Sequence, residues 1–113
     1  MERRRDTRQV TAGRPDKMAK HNLFETPRFF ADVYVLGPGQ AQAPHRHAGE
    51  DKCYLVLEGR PQVTSGAAVF ELEAGEIVWC PAGEDHGVHN PGPAVARLLV
   101  FMAPHPRADG LAP

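Results

Sequence analysis

The chain has few of the features that mark membrane proteins and disulfide-stapled proteins. Its 113 residues contain no apolar stretch near the roughly 18 residues of a membrane span, and no apolar signal-peptide core follows the basic start. Cysteine occurs only twice, at Cys53 and Cys80, which is too sparse for a disulfide framework. The sequence therefore predicts a soluble, cytoplasmic protein with no membrane partner. Reduced, buried thiols are the favoured state, and the sequence also allows a Cys53–Cys80 disulfide.

Long helices also have little room in this sequence. Eleven glycines and eleven prolines interrupt the chain every few positions. Turn signals recur about every eight to twelve residues, a spacing typical of an all-β sandwich or barrel. The predicted strands are Phe29–Leu36, Ala41–His47, Cys53–Leu57, Gln62–Thr64, Ala68–Leu72, Glu76–Cys80, Gly87–Asn90 and Ala94–Met102.

Charge is nearly balanced overall but unevenly distributed. Residues 1–20 carry seven Lys or Arg and three Asp or Glu, a net charge of +4, so the total of −1 leaves −5 for residues 21–113. The length suits a single core of about 100 to 150 residues. We expect a flexible basic N-terminal arm over 1–20, a β-barrel domain over 21–105 and a C-terminal tail over 106–113. A short segment of scattered charge is usually a solvated tail, so no nucleic-acid partner is predicted.

Two predicted strands are apolar where a half-exposed strand would alternate. They are the runs 53–57 (CYLVL) and 98–102 (LLVFM). Both faces of such a strand need cover. Because a chain this small has limited means of covering both faces alone, the pattern predicts a homodimer.

Histidines at two places in the chain suggest a metal site. In a strand, His45 and His47 share a face and lie about 6.6 to 6.8 Å apart along the backbone. A strand, a Pro/Gly turn and His86 follow later in the chain, where a barrel can bring His86 opposite the first pair. Three such ligands form a facial arrangement that leaves coordination positions open for substrate or water.

The spacings around these histidines resemble the two motifs of the cupin family. The first motif, a glycine, an HxH pair, a glutamate position and a glycine, matches Gly39, His45, His47, position 52 and Gly59. The second matches Gly75, Pro81, Gly83, His86 and Asn90 in full. The resemblance covers nearly everything from residue 39 to 90. It implies a small single-domain jelly-roll barrel, the double-stranded β-helix, with a divalent ion such as Fe, Mn, Ni or Zn bound inside by the histidines and the glutamate.

The sequence departs from the motif at the glutamate position, which is Lys52. A protonated lysine is no ligand for a cation, and two unit charges about 4 Å apart repel by roughly 4 kcal/mol at an effective dielectric near 20. Asp51 shares the histidine face in strict alternation and could replace the carboxylate, or Glu50 could reach back from the loop. In the third alternative, which we favour, Lys52 points inward, near neutral or paired with an acid such as Asp51, and the ion keeps three His ligands and waters.

Two classes of function fit these residues. The first is a metal-dependent enzyme of oxygenase, isomerase or lyase type acting on a small oxygen-bearing molecule, with Lys52 and Tyr54 as the catalytic residues that move a proton or hold an anion. A dioxygenase-like oxidoreductase and an isomerase are the leading forms. The second is a non-catalytic module that binds a small ligand or metal in the same pocket. Fold alone does not choose between them.

Overall fold

The computed structural model describes residues 2–107 and consists of two antiparallel sheets. A 3-10 helix at Thr7–Gln9 comes before the first strand. The strands of the described residues are β1 (Ala19–Thr26), β2 (Phe29–Leu36), β3 (Ala41–His45), β4 (Asp51–Glu58), β5 (Gln62–Ser65), β6 (Ala68–Glu71), β7 (Ile77–Cys80), β8 (His86–His89) and β9 (Ala96–Ala103).

The strand order confirms the predicted all-β class. One sheet has the order β1-β2-β9-β4-β7 and the other the order β3-β8-β5-β6. The prediction missed β1, whose sequence AKHNLFET is largely polar and whose pairing with β2 shifts register between Asn22 and Phe24. Within residues 2–107 no helix is long and apolar enough to cross a membrane.

The main core lies between the two sheets and follows the strand alternation. On β4, Lys52, Tyr54 and Val56 are buried on the inner face, whereas Cys53 and Leu55 on the outer face are only partly buried. The inner face of β2 contributes Tyr34 and Leu36 to the same core, and β9 contributes Leu98 and Val100. The two strands predicted to be covered on both faces are therefore fully covered on one face only.

The N-terminal segment covers part of the outer face of the five-stranded sheet. Val10 packs against the buried residues Val33 and Val35. Arg97, only 8% exposed, fastens this segment: its Nη1 donates to the carbonyl oxygens of Thr7 (2.7 Å) and Val10 (3.3 Å). Its Nε donates to Glu58 Oε1 at 2.6 Å. Part of the predicted arm therefore packs on the barrel, and its last two residues begin β1. Of the predicted tail, only residues 106 and 107 lie within the described residues.

The two cysteines lie on opposite faces of the five-stranded sheet. Cys53 pairs with Trp79 across the ladder, while its neighbour Lys52 pairs with Cys80. Cys80 is fully buried and Cys53 only partly buried, and both are free thiols. The disulfide left open by the sequence is therefore absent from the structure, and the cellular compartment stays a prediction.

The fold depends on glycine at position 59, at the end of β4. Gly59 has φ +83°, and a Cβ atom there would lie 2.5 Å from the carbonyl oxygen of Val95 and 2.8 Å from Ala96 Cα. We expect Gly59→Ala to cost about 2 kcal/mol or more of unfolding free energy, because left-handed strain adds to a backbone clash. Gly39 has φ +82° with nothing within 4 Å of such a Cβ, so Gly39→Ala should cost about 1 kcal/mol of strain alone. Urea denaturation measures both, and equal losses would contradict the steric account.

Candidate functional site

Strand pairing brings the three predicted histidines together at one end of the barrel. His45 on β3 stands directly opposite His86 on β8. The carbonyl oxygen of His47 accepts a 2.8 Å hydrogen bond from the backbone N–H of Gly83, which joins the HxH segment to the turn before His86. One nitrogen from each of the three rings lies within 4.8 Å of the other two.

Two local features allow this close approach. A Cβ atom at Gly87 would lie 2.8 Å from the carbonyl oxygen of Gln42 and 2.9 Å from Pro44 N, so only glycine lets β8 lie this close to β3. On the outside, Arg46 Nε donates to Asp85 Oδ1 at 2.9 Å. This exposed pair holds the HxH segment against the turn that precedes His86. The histidines on either side of Arg46 face inward.

Two of the three histidines, His86 and His47, are held in the neutral form that binds metals. His86 is 1% exposed, and its buried Nε2 has no hydrogen-bond partner among residues 2–107. Burial, then the charge of Lys52 and the other two rings, lowers the pKa of His86 to about 4, so it is neutral near pH 7. Burial also lowers the pKa of His47. The Nδ1 of His45 lies 3.0 Å from the carbonyl oxygen of Ala43. A proton on that nitrogen leaves Nε2 of His45 as a free lone pair.

A divalent ion fits this set of donors. Nitrogens bound at about 2.1 Å to one ion are about 3.0 to 3.4 Å apart for bond angles near 90° to 109°. In the structure one nitrogen from each ring lies within 4.8 Å of the other two, and binding a single ion would bring the three closer together. Neutral imidazoles suit Zn, Cu, Fe and Ni, and three ligands leave coordination positions open.

Lys52 points into the barrel, next to this cluster. It is 2% exposed, and its Nζ lies 3.3 Å from Gln42 Oε1. The same ammonium lies 5.4 Å from the ring centroid of Tyr34 and 5.0 Å from that of Tyr54. Burial, and next the charge of Lys20, lowers the pKa of Lys52 to about 8. Among residues 2–107, no Asp or Glu oxygen lies within 4.0 Å of its Nζ.

The structure corrects the prediction that Asp51 could replace the missing carboxylate ligand. It is exposed on the outer face of β4, where its Oδ1 accepts from Trp79 Nε1 (3.3 Å) and from the backbone N–H of Ala82 (3.0 Å). Strict alternation from His47 misplaced it, because residues 46–50 are not a strand. Glu50 does not join the cluster either; its Oε2 accepts from the N–H of Gly49 at 2.9 Å. Asp51 instead fastens the turn that leads to His86.

The interior also holds Tyr54, which the sequence analysis selected, and three polar residues that it did not select. The hydroxyl of Tyr54, placed inside as expected, is buried and has no hydrogen-bond partner among the described residues. Tyr34 and Asp32 share the inner face of β2, and burial raises the pKa of both. Asp32 and Tyr34 are two residues apart within the apolar strand Phe29–Leu36, and this spacing could have indicated a polar site on its inner face. Gln42 on β3, beside Lys52 and Tyr34, gave no such signal.

Comparisons with known proteins find similar proteins with varied names. The chain superimposes on the crystal structure of TT1209 from Thermus thermophilus with a TM-score of 0.88 and 41% identity, over 91% of this chain and 98% of that one. It is 28% identical to an oxalate-binding protein of Thermotoga maritima over 75% of this chain and 69% of that protein. It is also 36% identical to the dimethylsulfoniopropionate lyase DddW of Ruegeria pomeroyi, over 49% of this chain and 36% of that protein.

The family itself follows from the match over most of the barrel. A family model described as "Cupin domain" matches residues 32–102, a range that holds all three clustered histidines and Lys52. The two-sheet architecture and the strong superposition on a solved chain agree with that match. The chain therefore belongs to the cupin family, as a small single-domain member.

Proposed function

We propose that His45, His47 and His86 bind one divalent metal ion, and that the pocket around it binds or transforms a small oxygen-bearing organic molecule. The observation that carries this proposal is the cluster of three imidazoles within 4.8 Å. The buried, unpartnered Nε2 of His86 supports it, because an orphaned buried acceptor is costly unless a ligand satisfies it. Relatives described as an oxalate-binding protein and as a lyase support the substrate class.

The chain's own residues have distinct roles around the bound molecule. When bound, an Fe, Mn, Ni or Zn ion would supply Lewis acidity and open positions for oxygen donors. Lys52 Nζ holds or delivers a proton at the inner side of the pocket, since its lowered pKa of about 8 lies near neutral pH. The Tyr54 hydroxyl donates a hydrogen bond to an oxygen of the substrate. The buried side chains of Val56, Val78 and Leu98 make the deeper barrel apolar.

A non-catalytic binding module is the alternative. It is favoured by the relative described as an oxalate-binding protein and by the lack, among the described residues, of a carboxylate in the histidine cluster to act as base. Assays on a panel of hydroxy acids and β-dicarbonyl compounds separate the two forms. Turnover that depends on both metal and Lys52 supports the enzyme, whereas tight binding without turnover supports the module.

Removing one histidine tests the metal site. We expect His86→Gln to weaken binding of Zn²⁺ at least tenfold, because it removes one of three ligands. The matched control is His89→Gln on the same strand, where the exposed side chain contacts Gln62 instead. Isothermal titration calorimetry measures both affinities. Unchanged affinity in the His86 variant, or an equal loss in the two variants, would contradict the proposed site.

The burial of Lys52 predicts a pH dependence of stability in the metal-free protein. The folded-state pKa of about 8 lies below the ordinary value of 10.5, so above pH 8 the unfolded state binds more protons and stability rises with pH. We expect this contribution of Lys52 up to about pH 9.5, below the range where tyrosines titrate, while burial of the Cys53 and Cys80 thiols raises their pKa and opposes it equally in the wild type and the Lys52 variant. Lys52→Met should be more stable than the wild type at pH 7 and lack the rise. Parallel urea curves for the two proteins across this range would show that the ammonium is not buried.

We further propose that the exposed apolar face of β7 and β9 pairs with a second copy of the chain. Ile77 and Trp79 on β7 are each 62% exposed, and Phe101 on β9 is 43% exposed. Cys53 on β4 lies between them and pairs with both Trp79 and Phe101. Exposed apolar side chains on one sheet face are typical of an interface, and a second copy is the partner that the apolar pattern of β4 and β9 predicts.

A charge on this face tests the homodimer. We expect Ile77→Lys to shift the protein toward monomer in sedimentation equilibrium. Val69→Lys is the control, because Val69 is 64% exposed on β6 of the other sheet and should leave association unchanged. A wild-type protein that sediments as a monomer would refute the proposed pairing.

A further inference from the structure

Lys52 is a buried cation that has no counter-ion among residues 2–107. It lies inside the barrel with one hydrogen bond, to the amide oxygen of Gln42. Asp32 is the acid whose charge acts on it from within the barrel, but the two make no ion pair within 4.0 Å. Instead Asp32 Oδ1 accepts from Asn22 Nδ2 at 2.9 Å. A buried charge without a partner is unfavourable, so an anion bound beside Lys52 would relieve this cost.

More positive charge lies near Lys52. Lys20 Nζ lies 5.6 Å from the ring centroid of Tyr34, the ring that Lys52 also approaches. A neighbouring cavity of about 410 Å³ reaches Gln42, the hydrogen-bond partner of Lys52. Its lining residues are Arg14, Lys17, Met18, Lys20, Ala41 and Gln42. Within the described part of the chain, the one acid pairing with this wall is Asp16, which binds Arg14 at 3.0 Å, so a net positive charge remains to attract an anion.

The charge of a divalent ion bound in this site would also favour an anionic ligand. Three neutral imidazoles contribute no negative charge, and Lys52 puts a positive charge where the cupin motif has a glutamate. A divalent ion in this pocket therefore lacks the carboxylate that would offset part of its charge. A ligand that brings its own negative charge restores the balance. The buried, unpartnered Tyr54 hydroxyl, on the same inner face as Lys52, can donate to a second oxygen of such a ligand.

We infer that the ligand of this pocket is a small carboxylate, such as a 2-hydroxy acid, a 2-oxo acid or a dicarboxylate. Its carboxylate pairs with Lys52 and accepts from Tyr54, and an oxygen faces the three histidines. Lys20 and Lys17 draw the anion toward the pocket. Lys52 is thus the specificity-determining residue. It stands at the glutamate position of the motif with a positive charge, so the carboxylate that the protein lacks there is supplied by the ligand. This inference deepens the proposed function and rests on it.

The test compares an acid with its neutral amide. Glycolate and glycolamide have nearly the same size, so their affinity ratio on the Zn²⁺-loaded protein measures the preference for charge. Because the metal itself favours the acid, the informative quantity is the change of this ratio in Lys52→Met. We expect the ratio to fall about tenfold or more, as for loss of a charge-assisted hydrogen bond. Arg60→Met, on an arginine paired with Glu73 at the surface, should leave the ratio unchanged.

Metal content, measured by elemental analysis on every variant, separates this inference from the proposed function. An unchanged glycolate to glycolamide ratio in Lys52→Met that still loads zinc and folds by circular dichroism overturns the role of Lys52 and leaves the metal site intact. A wild-type protein that takes up no metal overturns the proposed function. Lys52-dependent glycolate binding to that metal-free protein would still support the anion site. A second variant, Lys52→Glu, should bind zinc more tightly than the wild type and lose the preference for the acid.

Discussion

The concentration of basic side chains in the buried interior of the barrel is the constraint on which the site depends. His86 and Lys52 are almost fully buried, and His45 and His47 lie beside them. Charged forms are disfavoured there both by lost solvation and by mutual repulsion. His86 and His47 relieve the conflict by being neutral, because burial lowers the pKa of both, and the neutral ring is the state that ligates a metal. Lys52 relieves it only in part, because its pKa falls to about 8 and not further.

The fold supplies the geometry that makes this arrangement specific. The antiparallel register sets His45 opposite His86, Gly87 allows the strands to lie close, and the Gly83 amide fastens His47. None of these contacts requires a metal. The barrel therefore holds the donors together before any ion binds, so little ordering cost remains for binding.

Much of the site could be predicted from the sequence, because residues a few positions apart determine which side chains share a face. The i, i+2 pair His45 and His47 and the turn before His86 indicated the cluster, and alternation along β4 placed Lys52 and Tyr54 on one face. The prediction for Asp51 was wrong because residues 46–50 are not in a strand, so the alternation of side chains counted from His47 does not continue into β4. Strand β1 was missed because its largely polar sequence carries no apolar alternation, although it pairs with β2, the next strand along the chain. The contacts of Arg97 with Thr7 and Val10 span almost the whole chain, and no local pattern reveals them.

The most direct measurement of the central claim is X-ray absorption spectroscopy of the zinc-loaded protein. The account predicts three imidazole nitrogens at about 2.0 to 2.1 Å from the ion, with the remaining positions filled by oxygen from water or a bound carboxylate. Fewer than three imidazoles in the first coordination sphere, or a sulfur ligand from Cys53 or Cys80, would contradict it.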